Sequence, residues 1–255
     1  MRVRPVTRED LPEIFEITHK ALEKDEFFGW LNPGRDKYPG DHRRDQRLHL
    51  RARFVSLGQH GYVVATEKGD RDWSGKSEVA GFVFLIRKGT DEASKKWRTD
   101  TLFNRFERKL LEWEMWYDSK FLNRAEDPKR LAEYIKMEPW NSFNVLDPRW
   151  HMGLICVSPK FQRRGVGSML VQHSQRLAAD DKLPLTLEAS IVGRKLYLKS
   201  GFKLVGEAKL CEEFTDGLMV WEPVGMEGTW LDAFDGDTAK MKKRRESSPS
   251  AIART

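Results

Sequence analysis

The chain has 255 residues, of which 39% are hydrophobic and 33% charged, and a formal net charge of +6. That length holds one large domain or two small ones and buries a sizeable core, in a composition typical of a very polar globular protein. No apolar stretch approaches the ~20 residues of a membrane span, the charged segment Met1–Asp10 is no secretory leader, and Cys156 and Cys211 lack metal-ligand spacing, so a membrane protein, a metal site and a disulfide scaffold are disfavoured and the expected compartment is cytosol or nucleus.

The basic residues are spread along the chain with no concentrated excess, which disfavours a nucleic-acid partner. Val3-Arg4-Pro5-Val6 predicts a first strand, with Pro5 marking an edge or end position. Thr7 to Asp10 sets a capping hydroxyl three residues before a carboxylate, and Leu11, Ile14, Phe15, Thr18 and Leu22 supply the apolar stripe of a first helix. From Gly29 to Asp41 the density of Gly, Pro and Asp predicts a loop. A basic helix follows over Arg43 to Leu57, with Leu50, Phe54 and Leu57 inward and its arginines read as a solvated face. Gly61–Thr66 and Val79–Ile86 predict two strands joined by a polar turn.

About sixty residues then intervene, Gly89 to Pro148, before the next apolar run. Phe103, Phe106, Leu110, Trp113 and Tyr117 recur at helical spacing, and Leu131, Tyr134 and Ile135 form a second stripe, so this segment predicts a helical pair. With Trp97, Trp113, Trp116, Trp140 and Trp150 it is conspicuously aromatic, and such a stripe is read first as core packing and second as a cover for a substrate groove.

Leu154 to Val157 reads as a buried strand that Ser158-Pro159 ends. Beyond it Val166, Leu170, His173 and Leu177 mark one face of a helix that begins near Gly165. The first turn of that helix carries unpartnered N–H groups and the positive end of the helix dipole, so Arg163–Ser168 can bind an anion through the main chain. Gly165 and Gly167 let a phosphate approach the backbone closely, and Arg163 and Arg164 add charge. Downstream come a strand over Leu185–Ala189, a short helix over Arg194–Lys199 and strands over Phe202–Ala208 and Leu218–Trp221. From Pro223 on, Gly, Asp, Lys, Ser and Pro dominate, so residues 225–255 are expected to form a polar, partly disordered tail. Its basic run Lys242-Lys243-Arg244-Arg245 is of a kind that serves as a nuclear address, though such runs are more often solvated tail.

Two motifs in order, Gln162-Arg163-Arg164-Gly165-Val166-Gly167 and Leu196-Tyr197-Leu198-Lys199-Ser200-Gly201-Phe202, together with the opening Val3 to Leu11, resemble the GNAT superfamily of acyl-CoA-dependent N-acetyltransferases. The resemblance implies an α/β (α+β) fold over residues 1–224: a mixed, mostly antiparallel sheet flanked by helices, here with a helical insertion between the third and fourth strands. It also implies acetyl-CoA as acyl donor, no metal, and a primary amine of a small molecule or peptide as acceptor. Ile155, Cys156 and Val157 would then pair with the pantetheine arm, and Gln162, Arg163, Arg164, Gly165, Val166, Gly167 and Ser168 would hold the pyrophosphate. Tyr197 matches the family tyrosine next to the sulfur, whose hydroxyl would donate to the departing thiolate as general acid or hydrogen-bond donor. Glu188 stands where some members carry the base, and Ser190 stands where many carry an asparagine that contacts the cofactor. The alternative is a catalytically silent acyl-CoA-binding module.

Overall fold

The apolar run VAGFVFLIRK forms strand β3 (Val79–Lys88), buried over nearly its whole length, as a strand covered on both faces must be. The computed structural model describes residues 1–98, 100–138 and 141–242, and β3 lies inside the single sheet formed by their strands. On one side of it are β2 (Gln59–Ala65) and β1 (Arg2–Pro5); on the other, in spatial order, are β4 (Arg149–Val157), β5 (Leu185–Ala189), β7 (Thr215–Trp221), β6 (Lys203–Lys209), β9 (Thr238–Met241) and β8 (Leu231–Asp235). All neighbours pair antiparallel except β4 with β5 and β6 with β9. This is the mixed, mostly antiparallel architecture that the sequence predicts.

The helices, in chain order, are α1 (Leu11–Leu22), α2 (Glu26–Leu31), α3 (Pro39–Val55), α4 (Glu92–Trp97), α5 (Leu102–Tyr117), α6 (Pro128–Met137), α7 (Val166–Asp180) and α8 (Arg194–Lys199). At the first helix the Thr7 N–H and hydroxyl donate to Asp10 Oδ2 at 2.7 and 3.0 Å, closing the turn into α1. On one face of the sheet α7 buries Val166, Leu170 and Val171 against Val83, Leu85, Trp150 and Met152. On the other, α1 and α3 bury Ile14, Phe15 and Leu50 against Val63, Phe82, Phe84 and Cys156. Each such fully buried side chain contributes about 1.5–3 kcal/mol.

A bulge in β4 decides which side chains face which layer. Leu85 pairs with Met152 and the adjacent Phe84 with Leu154, so Gly153 is the extra residue. The alternation therefore changes phase: Trp150 and Met152 before the bulge, and Ile155 and Val157 after it, belong to the α7 layer, whereas Leu154 and Cys156 pack toward α1 and α3.

The insertion is helical, as expected, but its aromatic face lies outward. On α5, Phe103, Phe106 and Trp113 are 63%, 64% and 73% exposed, while Leu111 is buried with Leu48 and Val55 of α3 and packs on Met115. The reading of this stripe as core packing is corrected here. The buried side of α5 is held largely by charge: Glu107 takes Arg8 at 2.7 Å and Arg51 at 3.5 Å, and Arg108 donates to Asp100 and to the Val55 carbonyl. On α6, Leu131 and Tyr134 turn inward and line a cavity. Trp140 lies outside the described residues.

Residues 225–242 also differ from a simple polar tail. β8 and β9 form a hairpin joined to the sheet by the parallel register Leu204 with Thr238, and Leu231 and Ala239 bury against Phe143, Leu218 and Val220. The start of the predicted loop, Gly29 to Leu31, is instead the end of the short helix α2 (Glu26–Leu31), started by Asp25, whose side chain accepts from the Phe28 N–H. The run Lys243 to Arg245 is outside the described residues.

Candidate active site and acyl-donor cleft

β4 and β5 run side by side only where Trp150, His151 and Met152 meet Leu185, Thr186 and Leu187. Beyond Met152 the strands diverge, and the β5 side of Gly153 to Val157 has no strand partner. Leu154 at this point also lines the cavity on the α1 and α3 side. At the far end of β4, Pro159–Phe161 makes a turn with Phe161 buried beneath it, and the chain enters α7 through Arg163 and Gly165, with φ of 61° and 83°. Gly165 is the N-cap of α7; a left-handed residue there is natural for glycine alone.

The predicted diphosphate residues fall together. Gln162, Arg163, Arg164 and Gly165 are exposed, Val166 is buried, and Gly167 and Ser168 lie half-buried on the first turn. Nothing stands within 4 Å of a Cβ built on Gly165, so the loop leaves room for a bulky anion at the amide-rich end of the helix. Arg164 pairs with Asp72, which leaves Arg163 the freer cation. Gln162 reaches back to the Val157 carbonyl at 3.4 Å.

The predicted catalytic residues stand on opposite faces of β5. Tyr197 of α8 is 6% exposed in the α7 layer, edge-on to Phe202 at 5.8 Å. Burial, then the neighbouring Cys156 and Asp216, push its hydroxyl above the usual tyrosine range, so it keeps its proton at neutral pH. Glu188 pairs in register with Leu218 and lies 3.3 Å from His151 Nε2, whose Nδ1 is 3.1 Å from the Thr186 hydroxyl. Burial and the charge of Glu188 also raise the pKa of Asp216. Cys156 is buried, and burial pushes its thiol up to about 12, so it is a core thiol. Ser190 is exposed at the end of β5, and its carbonyl accepts from the N–H groups of Gly193 and Arg194.

His151, Asp216, Arg53 and Tyr134 are absent from the sequence-based set. The cavity holding the last two has a volume of about 540 Å³, within the range of small-molecule pockets. Its walls come from α1, α2, α3, α6 and β4, with Phe27, Phe28, Leu50, Leu131 and Tyr134 among the apolar surfaces. Phe27 sits 5.2 Å from Tyr134 and 6.1 Å from Phe214, ring centre to ring centre. A polar corner carries Asp45 paired with His49 at 3.4 Å, and beside it Glu126, whose pKa burial and Asp45 raise to about 7. Strand phase was the one sequence signal that could have found His151, since it shares its pleat with Gly153; the cavity residues are scattered over four helices and share no motif.

Among the described residues no cluster of His, Cys, Asp or Glu stands ready to hold a metal ion, and no helix is long and apolar enough to cross a membrane.

A family model described as an acetyltransferase (GNAT) domain matches residues 88–221. An uncharacterised N-acetyltransferase of Schizosaccharomyces pombe is 36% identical over 230 residues, covering 89% of this chain and 91% of its own. An acetyltransferase of Stachybotrys chartarum is 23% identical over 218 residues, covering 83% and 84%. Among solved structures, a Corynebacterium glutamicum protein described as a histone acetyltransferase and related acetyltransferase superposes with a TM-score of 0.53 at 20% identity, over 89% of this chain and 97% of its own. A Staphylococcus aureus N-acetyltransferase gives 0.51 at 15% identity, over 87% and 100%. At these identities the two structures speak for the fold.

Proposed function

The chain belongs to the GNAT acetyltransferase family, and from that premise we propose that it transfers the acetyl group of acetyl-CoA to a primary amine by direct attack. The observation that carries the reading is the divergence of β4 from β5 beyond Met152, a slot with the Gly165 loop at one end, Tyr197 on one face and the cavity of Leu154 and Tyr134 on the other.

In this reading acetyl-CoA supplies the thioester when bound. The first-turn amides of α7, Gln162 and Arg163 hold its diphosphate. The β5-side edge of Ile155 to Val157, whose other edge pairs with β3, pairs with the pantetheine arm and donates to the thioester carbonyl, where negative charge grows as the amine attacks. Glu188, seated against His151, takes the proton that the amine nitrogen loses. As the C–S bond breaks, the Tyr197 hydroxyl, held protonated by its burial, donates to the departing sulfur and passes it a proton that the site regains from solvent. In the same reading the Ser190 hydroxyl would donate one hydrogen bond to the cofactor at the end of β5.

A steady-state assay of CoA thiol release with acetyl-CoA and a panel of amines tests this. Release that depends on the amine and continues over many turnovers is expected. Acetyl-CoA binding with no CoA released under any amine would make the chain a binding module instead.

A further inference from the structure

On α3 the arginines are engaged one after another: Arg43 with Glu16 at 2.5 Å, Arg44 with Asp118 at 2.5 Å, Arg51 with Glu114 at 3.3 Å, and Arg47 over the Phe15 ring at 4.5 Å. Arg53 is the exception. Its side chain turns inward and lines the cavity, and no hydrogen bond or ion pair reaches its guanidinium among the described residues. Its Nη1 lies 3.2 Å from where a Cβ on Gly153 would stand, so the group rests on the bare backbone of the β4 bulge, one residue before the strand loses its β5 neighbour.

An inward cation without a partner costs free energy that a salt-bridged one recovers. Burial pushes the Arg53 pKa below the usual arginine value, against a smaller opposing effect of Tyr134 and Cys156. The guanidinium keeps its charge, because arginine is not deprotonated in proteins. The cavity's own carboxylates are not paired with it: Asp45 is committed to His49, and Glu126 is biased toward its neutral form. Burial, then the charges of Glu188 and Asp216, raise the Tyr134 pKa while Arg53 lowers it, so both signs of charge act on that cavity tyrosine.

We propose that Arg53 is the anchor for a carboxylate on the acceptor, and that the amine acetylated is therefore that of an amino acid. This rests on the acetyl-transfer reading above. The planar guanidinium fork holds a carboxylate through paired N–H donors, and Glu188, the base of that reading, draws the amino group toward the slot. A side chain on Gly153 would press on the fork, its Cβ standing 3.2 Å from Arg53 Nη1. Phe27, Phe28 and Leu131 on the cavity wall favour an apolar side chain.

The test uses the full chain saturated with CoA or acetyl-CoA and a panel of free amino acids, their methyl esters and their decarboxylated amines. Binding is read by calorimetry and transfer by CoA release, with Arg53→Met, Arg53→Lys and Gly153→Ala compared after thermal melting confirms each fold. Expected are binding of at least one amino acid, a loss on the order of 10- to 100-fold for its ester and its decarboxylated amine, the same loss in Arg53→Met, and partial recovery in Arg53→Lys. Gly153→Ala should weaken the acid and leave the amine unaffected. Amines binding as well as the acids, an equal loss of both in Arg53→Met, or no amino acid binding at all would overturn the anchor. Amino acids that bind through Arg53 yet never release CoA would leave the anchor standing and overturn the acetyl-transfer reading.

Discussion

The loop that opens α7 draws its functional groups from one contiguous stretch, Gln162–Ser168, whereas the cavity at the other side of β4 draws its walls from α1, α2, α3, α6 and β4. The first is main-chain chemistry fixed by a left-handed glycine and a helix dipole, and it tolerates little change. The second is side-chain chemistry on separate helices that can vary residue by residue. In the proposed reading the donor end is thus made of backbone and the acceptor end of replaceable side chains.

Variants at the two ends should separate the two halves of the reaction, beginning with the largest effect. Gly165→Val places a β-branched residue at φ 83°, a conformation that costs an ordinary residue roughly 1–2 kcal/mol, and puts a side chain where the diphosphate approaches. Calorimetric affinity for acetyl-CoA should fall by more than about 100-fold while the fold persists; unchanged affinity would refute the cradle. Glu188→Gln should lower kcat/KM by about 100-fold with acetyl-CoA affinity intact, and a wild-type rate would remove Glu188 as base. Tyr134→Ala, at the acceptor end, should raise the acceptor KM by about 10-fold without moving that of acetyl-CoA. An equal change in both would mean the cavity is not separate from the donor cleft.

The smallest effect concerns stability. Folding raises the Glu126 pKa from 4.5 to about 7, so the folded state prefers the protonated acid. The stabilising contribution is complete below the unfolded value and is lost as pH rises through about 7. Glutamine mimics the protonated form, so Glu126→Gln should narrow the melting-temperature difference between pH 5 and pH 8 by on the order of 2 °C. A difference as wide as in the wild type would show that Glu126 is not held neutral by its surroundings.

How much of this was readable in the sequence follows the same division. The Gly165 loop, the strand before it and the Arg194–Lys199 helix are local, and the structure has them where spacing predicts. The α5 stripe shows what periodicity omits: it reports that Phe103, Phe106 and Trp113 share a face, but not which face is buried. Here the opposite face docks, because Arg8, in the turn before α1, and Arg51, on α3, converge on Glu107 and Leu111 packs with Leu48 and Val55. The β8–β9 hairpin was hidden by the glycines around it, and it is tied down by a contact with β6 across many residues. Arg53 was counted among the solvated arginines of α3; only the β4 bulge at Gly153, a product of pairing with β3, shows why it turns inward.

The most direct test of the account compares acetyl-CoA affinity and turnover in the wild type and in Tyr197→Phe, using isotopically labelled acetyl-CoA and an acceptor that supports turnover. The account predicts labelled N-acetyl product over many cycles, a kcat reduced by about 100-fold in the variant, and a Kd for acetyl-CoA that does not change. A variant that turns over at the wild-type rate, or a wild type that holds acetyl-CoA and yields no labelled amide, would contradict it.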